Sequence, residues 1–202
     1  MNQAQVSPED PAAPPRPGDG EAPGAGEIRV DWLSLPGGAW VGMTHCPGRR
    51  GRDAQGRLWQ RDLHQDIDSL VRQGATGLVS LIEDAEFPAL GVAALPQVAT
   101  ARLRWLHMPV VNMHPPGAQA HAAWLGEGAW VRDELMAGRR VVFHCAAGLG
   151  RTGTVAAKLL TDVYGLAADD AVARVRRARP GTIESLEQEA FVRGERFLHA
   201  PV

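Results

Sequence analysis

Cysteine is scarce in this chain, with two in 202 residues, and so is every pattern that marks a membrane, secreted or metal-dependent protein. Two cysteines favour a reducing compartment. No apolar run approaches the roughly 20 residues of a membrane-spanning helix. The N-terminus lacks a basic region followed by an apolar stretch, so no secretory leader is expected. A formal net charge of −2 provides no global attraction to nucleic acid or anionic lipid. The seven histidines show no His-x3-His spacing, so neither metal nor other cofactor is expected. Internal repeats are absent. The expected setting is the cytoplasm, with no nucleic-acid or membrane partner.

What is present divides in two. Residues 1–26 are rich in proline, alanine, glycine and acidic side chains, with almost no large apolar groups. Such a segment buries too little surface to offset the entropy of ordering, and a disordered tail is expected. The remainder, 27–202, is long enough for one self-sufficient core. Short strands are expected at 28–35 and 39–43, separated by the turn chemistry of Pro36-Gly37-Gly38, then a loop over 44–61. Leu63, Ile67, Leu70 and Val71 recur at helical spacing within 62–73, closed by Gly74. Strands follow at 78–82 and 103–110, with a loose helix across 89–101 despite Pro96. A helix over 119–137 is weakened by Gly126 and Gly128. Helices are expected at 154–164, 169–178 and 185–198. Strands alternating with helices argue for an α/β sheet with its site at the C-terminal ends of strands.

The segment with the most chemistry is His144-Cys145-Ala146-Ala147-Gly148-Leu149-Gly150-Arg151-Thr152-Gly153. The apolar run Arg140-Val141-Val142-Phe143 before it reads as a buried strand, and helical spacing follows it. A strand, a tight loop and a helix therefore meet at a cysteine. A free thiol has a pKa of about 8.5, and a helix N-terminus with a nearby cation lowers it by several units. Loop N–H groups from Ala146 to Gly150 are expected to converge above Cys145 as an anion nest, the glycines permitting backbone paths that a side chain would obstruct. Arg151 is suited to grip two phosphate oxygens with its planar guanidinium. Thr152 is expected to donate its hydroxyl to the sulfur, and His144 to support the loop from behind. Cys145 would attack phosphorus to form a thiophosphate that water later removes.

These residues resemble the His-Cys-x5-Arg-Ser/Thr signature of the cysteine-dependent protein tyrosine and dual-specificity phosphatases. The Gly-Leu-Gly-Arg core is most similar to the kinase-associated phosphatase branch and its bacterial relatives. Cys46-Pro47-Gly48, the Gly77–Glu83 strand and Trp105-Leu106-His107-Met108-Pro109-Val110 resemble further segments of that group, so that the likeness covers about residues 30 to 198. The resemblance implies a single-domain α/β cysteine-phosphatase fold: a central, mostly parallel sheet flanked by helices, with the phosphate loop between a strand and a helix. It implies Cys145 as nucleophile and Arg151 as phosphate ligand, with phosphorylated protein or peptide as substrate.

The resemblance also marks a departure. Its general acid is usually an aspartate on a separate loop, and the matching stretch here, 109–117, carries Asn112 at that position. A second position where relatives carry aspartate aligns with Gly117. An amide cannot donate a proton as an acid does. General acid catalysis contributes about 10²–10⁴-fold, and its loss matters least for a phenol, with pKa about 10. Turnover is therefore expected to be slow and biased to aryl phosphates. His114 is a substitute donor by titration range, although a hydrogen-bonding role within a proline-stiffened loop also accounts for it. Gln188 matches the glutamine that orients water in similar enzymes, and Ser185-x-x-Gln188 equally reads as a helix capping box.

Other features allow plainer readings. Cys46 invites a protective disulfide with Cys145, while a loop cysteine in a Cys-Pro-Gly turn needs no such role. Arg49, Arg50, Arg52 and Arg57 are either a rim that attracts phosphoprotein or a solvated loop. Arg174, Arg176, Arg177 and Arg179 are expected on the wet face of a helix. Two alternatives to a phosphatase remain: a phosphate-recognising protein with decayed catalysis, and a sulfur-transfer or arsenate-reducing loop, which leaves the flanking segments unexplained.

Overall fold

The computed structural model describes residues 26–198. The expected tail, 1–26, lies outside that span except for Gly26, whose carbonyl accepts from Arg61 Nη2 at 3.1 Å. Among the described residues, a five-stranded sheet has the order β1-β2-β7-β5-β6. Its strands are β1 (Asp31–Ser34), β2 (Trp40–Thr44), β5 (Ala75–Ser80), β6 (Arg104–His107) and β7 (Arg140–His144). β1 runs antiparallel to β2, which it reaches through the Pro36–Gly38 turn. The remaining pairings are parallel. The expected α/β architecture holds, and β7, from which the cysteine loop departs, lies at the centre of the sheet.

Burial explains the layering. Val141, Val142 and Phe143 of β7 are fully buried, as are Val41 and Met43 of β2 and Leu78 and Val79 of β5. Strands covered on both faces read as continuous apolar runs, which is why β7 and β5 were visible in sequence. α1 (Leu63–Arg72) starts at Asp62, whose side chain accepts from Gln65 N, and buries Ile67 and Leu70. α6 (Gly150–Asp162) carries buried Val155, Leu159 and Leu160 beneath the sheet's centre. α7 (Ala168–Ala178) and α8 (Leu186–Arg193) pack against it. Among the described residues, no helix is long and apolar enough to cross a membrane.

Several elements differ from the sequence expectation. The 44–61 loop contains a hairpin, β3 (Arg50–Arg52) and β4 (Leu58–Gln60). Its strands are too short to show alternation, and Asp53 organises the turn by accepting from Gln55 N and Arg57 N. The helix expected over 89–101 is two pieces, α2 (Glu86–Ala89) and α3 (Leu95–Thr100), with Pro96 in the first turn of the second, where its missing N–H costs nothing. The 119–137 helix divides at Gly128 into α4 (Ala118–Glu127) and α5 (Ala129–Met136). β5 begins three residues earlier than expected. Beyond its end, Leu81 N still donates to His144 O (2.9 Å) and Val110 N to Leu81 O (3.1 Å), so the chain remains extended into the site. α6 begins at Gly150 rather than Thr154, which puts Arg151 and Thr152 in its first turn.

Candidate active site

The loop from Cys145 to Arg151 leaves the C-terminal end of β7 and enters α6. Gly148 N donates to Cys145 Sγ at 3.2 Å, so the backbone folds back over the sulfur. Gly148 has φ +72°, and a Cβ there would lie 2.3 Å from Thr44 O; conformation and space both require glycine. Gly150 is required by close approach alone, since its Cβ would meet Glu184 Oε2 at 2.5 Å and the Gln188 amide at 3.0 Å. Cys145 lies five residues before the first residue of a 13-residue helix, Gly150, across the tight loop. Thr152, expected to donate to the sulfur, instead has a buried hydroxyl with no partner among the described residues. Gly148 N–H donates to Sγ in its place.

Arg151 is 2% exposed, and its guanidinium is held by a residue that sequence reasoning missed. Glu86, at the start of α2, takes Nη1 at 2.5 Å and Nη2 at 2.9 Å in a bidentate pair. Nη1 also donates to Val110 O (3.1 Å) and Leu81 O (3.4 Å). Burial opposes Glu86's charge, yet the hydrogen bonds from Arg151 and the Glu83 amide hold its carboxyl below the ordinary range. Burial likewise opposes Arg151's charge, and Glu86 and the Cys145 sulfur raise its pKa in compensation. The available sequence signal was position: Glu83-Asp84-Ala85-Glu86 follows a strand whose C-terminal end faces the site.

His144 supports the loop from beneath, as expected. Trp105 Nε1 donates to Ser80 Oγ at 2.9 Å, and Ser80 Oγ lies 2.6 Å from His144 Nε2. With Nδ1 facing Cys145 O at 3.4 Å, the network assigns the proton to Nδ1 and leaves Nε2 to accept from Ser80. Burial pulls the imidazole pKa down to about 3, so His144 is neutral.

A second support corrects the sequence reading. Arg179, expected on a wet helix face, is buried at the C-terminal cap of α7. Its Nε donates to Gly148 O (2.8 Å), Nη2 to Ala147 O (3.1 Å) and Nη1 to Asp31 Oδ2 (2.6 Å). These bonds take up the outward-facing carbonyls of the loop and so leave its N–H groups turned inward. Arg176 is exposed but also engaged, bonding the carbonyls of Thr182 and Ile183 and the carboxylate of Glu189. Of the four possible rim arginines, Arg49 reaches the loop: its Nη1 donates to Ala146 O at 3.0 Å, and its guanidinium lies over Trp59.

Asn112 sits in an exposed turn between β6 and α4. That turn follows Val110, whose carbonyl accepts from Arg151 Nη1 at 3.1 Å. His114 faces Glu187 across 3.3 Å, and its carbonyl accepts from Gln188 Nε2, consistent with a hydrogen-bonding role. Gln188 is fully buried, closes the capping box with Ser185, and lies against Gly150. Cys46 is a buried free thiol, its Sγ directed to Pro47 O, and burial pushes its pKa up.

A thiol accepting a loop N–H between a central strand and a helix N-terminus, with a buried arginine in the first turn of that helix, on a mostly parallel α/β sheet, defines the cysteine-phosphatase class of sites. The family described as "PTP-SAK: Swiss Army Knife protein, DSP-PTPase phosphatase domain" matches residues 58–192, and the chain belongs to it. Kinase-associated phosphatase (KAP), in a structure with its catalytic-site cysteine replaced by serine, superposes with a TM-score of 0.71 at 22% identity, over 83% of this chain and 93% of that one. Tk-PTP in its active form superposes with a TM-score of 0.55 at 26% identity, over 75% and 88%. The tyrosine-protein phosphatase cdc-14 of Caenorhabditis elegans is 39% identical over 57 residues, which span 28% of this chain but only 8% of that relative.

Proposed function

We propose that this protein is a metal-independent phosphatase that hydrolyses phosphotyrosine in proteins or peptides, with dual specificity within its range, through a cysteinyl-phosphate intermediate. The observation that carries the reading is the shared loop. Cys145 Sγ accepts from Gly148 N–H, while Arg151 is oriented beside it by the Glu86 fork. In this reading the N–H groups of Ala146 to Gly150 and the Arg151 guanidinium bind the phosphoryl oxygens. Cys145 attacks phosphorus, the Gly148 N–H steadies the thiolate as it leaves, and Gln188 orients the hydrolytic water. Asn112 occupies the general-acid position without a proton to give, so aryl phosphates are expected to outrun alkyl phosphates. Ala146, Ala147 and Leu149 place no basic side chain in the loop, which fits phosphoprotein better than a highly charged phosphoinositide. The two free thiols suit a cytoplasmic setting.

Hydrolysis of a phosphotyrosyl peptide without metal, with Cys145→Ser as the blank, tests this directly. Turnover abolished in the variant supports the thiol enzyme. Asn112 favours a second reading, a phosphate-recognising protein with impaired catalysis. No turnover above the blank from pH 5 to 8, with retained phosphopeptide binding, would select it.

A further inference from the structure

The loop that binds phosphate in this reading already touches a carboxylate. Glu184 Oε2 accepts from Gly150 N at 2.7 Å, and in the proposed reading that N–H is one of the phosphate's donors. The contact is built in from several sides. Glu184 N donates to Gln188 Oε1 (2.9 Å), and Arg176 holds the two preceding carbonyls. Ile183, immediately before it, is buried with φ +61°. A β-branched residue in the left-handed region is strained, and such strain persists where the surrounding structure imposes it, often at functional sites. Here it turns the backbone so that the following side chain reaches Gly150.

Other carboxylates near the loop are committed elsewhere. Glu86 is held by Arg151 and the Glu83 amide. Asp31 lies behind the loop on Arg179, and Glu187 faces His114. No aspartate or glutamate lies between Val110 and Gly126, the stretch that contains Asn112. We infer that Glu184 is the acid–base catalyst of this active site, supplying the proton that Asn112 cannot. The inference rests on the phosphatase reading above.

The chemistry is complete with the groups present. A phosphate entering the loop takes the Gly150 N–H and leaves the displaced carboxyl group beside the bound phosphoryl group. Cys145 Sγ then bonds to phosphorus as the P–O bond to the leaving group breaks, and the Glu184 proton passes to the departing oxygen. Water next attacks phosphorus, the S–P bond breaks with its electrons returning to sulfur, and the water proton returns to Glu184.

Glu184→Gln is the informative variant, because an amide oxygen still accepts from Gly150 N–H while no proton is available. Steady-state kinetics on phenyl phosphate and 4-nitrophenyl phosphate, with the thermal midpoint as a folding control, separate the outcomes. The expected result is a loss of about 10²-fold or more on phenyl phosphate, a much smaller loss on 4-nitrophenyl phosphate, and disappearance of the basic limb of the kcat–pH profile. Asn112→Asp introduced into Glu184→Gln should recover the phenyl phosphate rate. Equal rates and an unchanged profile in Glu184→Gln would overturn the assignment. So would faster turnover with tighter inhibition by inorganic phosphate, since Glu184 would then only obstruct the loop. If the wild-type protein shows no Cys145-dependent turnover, the phosphatase reading falls and this inference with it.

Discussion

Arg151 reaches its place through Glu86, a bidentate pair in which the arginine is almost fully buried and the glutamate about a quarter exposed. Truncating one partner of a buried charge pair costs about 2–5 kcal/mol, and the residual exposure of Glu86 argues for the lower end. Glu86→Gln is therefore expected to lower kcat/KM by about tenfold or more on any substrate, unlike Glu184→Gln, which discriminates by leaving group. The acid response has a definite sign. Glu86's carboxyl titrates below its ordinary range in the folded state, so its contribution is full above the unfolded value of about 4.3 and fades as pH falls through the lower folded value. Urea midpoints between pH 6 and 3 should fall less steeply in Glu86→Gln. With Glu184 supplying the proton, Asn112→Asp alone should change turnover little; a large gain on alkyl phosphates would count against Glu184 as the acid.

At the scale of elements, the phosphate loop is a strand–loop–helix unit whose outward face is closed by α7 and β1. Arg179 joins Gly148 O, Ala147 O and Asp31 with three nitrogens of one rigid fork. A lysine carries the charge but cannot meet these acceptors in that geometry. Arg179→Lys is expected to reduce kcat by about tenfold and weaken inorganic phosphate inhibition, with Tm altered by only a few degrees; unchanged kinetics would show that the loop holds its shape without the clamp. The other end of α6 uses similar chemistry. Lys158, the chain's single lysine, is 1% exposed, donates to Gly194 O and pairs with Asp162 at 3.3 Å. Asp162 in turn accepts from Phe197 N and Leu198 N, tying the segment after α8 to the core.

For the whole molecule, His144 couples stability to pH. It lies in the central strand, bonded to Ser80 of β5, which also accepts from Trp105 of β6, so three neighbouring strands share one neutral imidazole. Its pKa of about 3 in the fold contrasts with about 6.5 in an unfolded chain. Between these values the unfolded state binds the extra proton. The contribution is thus complete above about pH 6.5 and is lost as pH falls toward 3, by at most about 1.4 kcal/mol per pH unit. The urea midpoint is expected to drop from pH 7.5 to 5, and His144→Gln should flatten that part of the curve even if the variant starts less stable.

The sequence by itself determined the α/β order, the central buried strand and the identity of the Cys145–Arg151 loop, because each is written in contiguous residues: an apolar run, glycines at short spacing, a cysteine and an arginine six positions apart. Asn112 was legible only through resemblance to relatives, since an asparagine in a turn carries no signal of its own. What the tertiary structure decided were the partners of that loop. Glu86 is 65 residues from Arg151, Arg179 is 31 from Gly148, and Glu184 is 34 from Gly150, and no local spacing links such pairs. Arg179 looks like one more charge in an arginine-rich helix until the chain turns at Pro180-Gly181 and its side chain faces the loop. Strand and helix periodicities are set by neighbours within a few positions, whereas the environment of a charge is set by whichever distant segment packs against it.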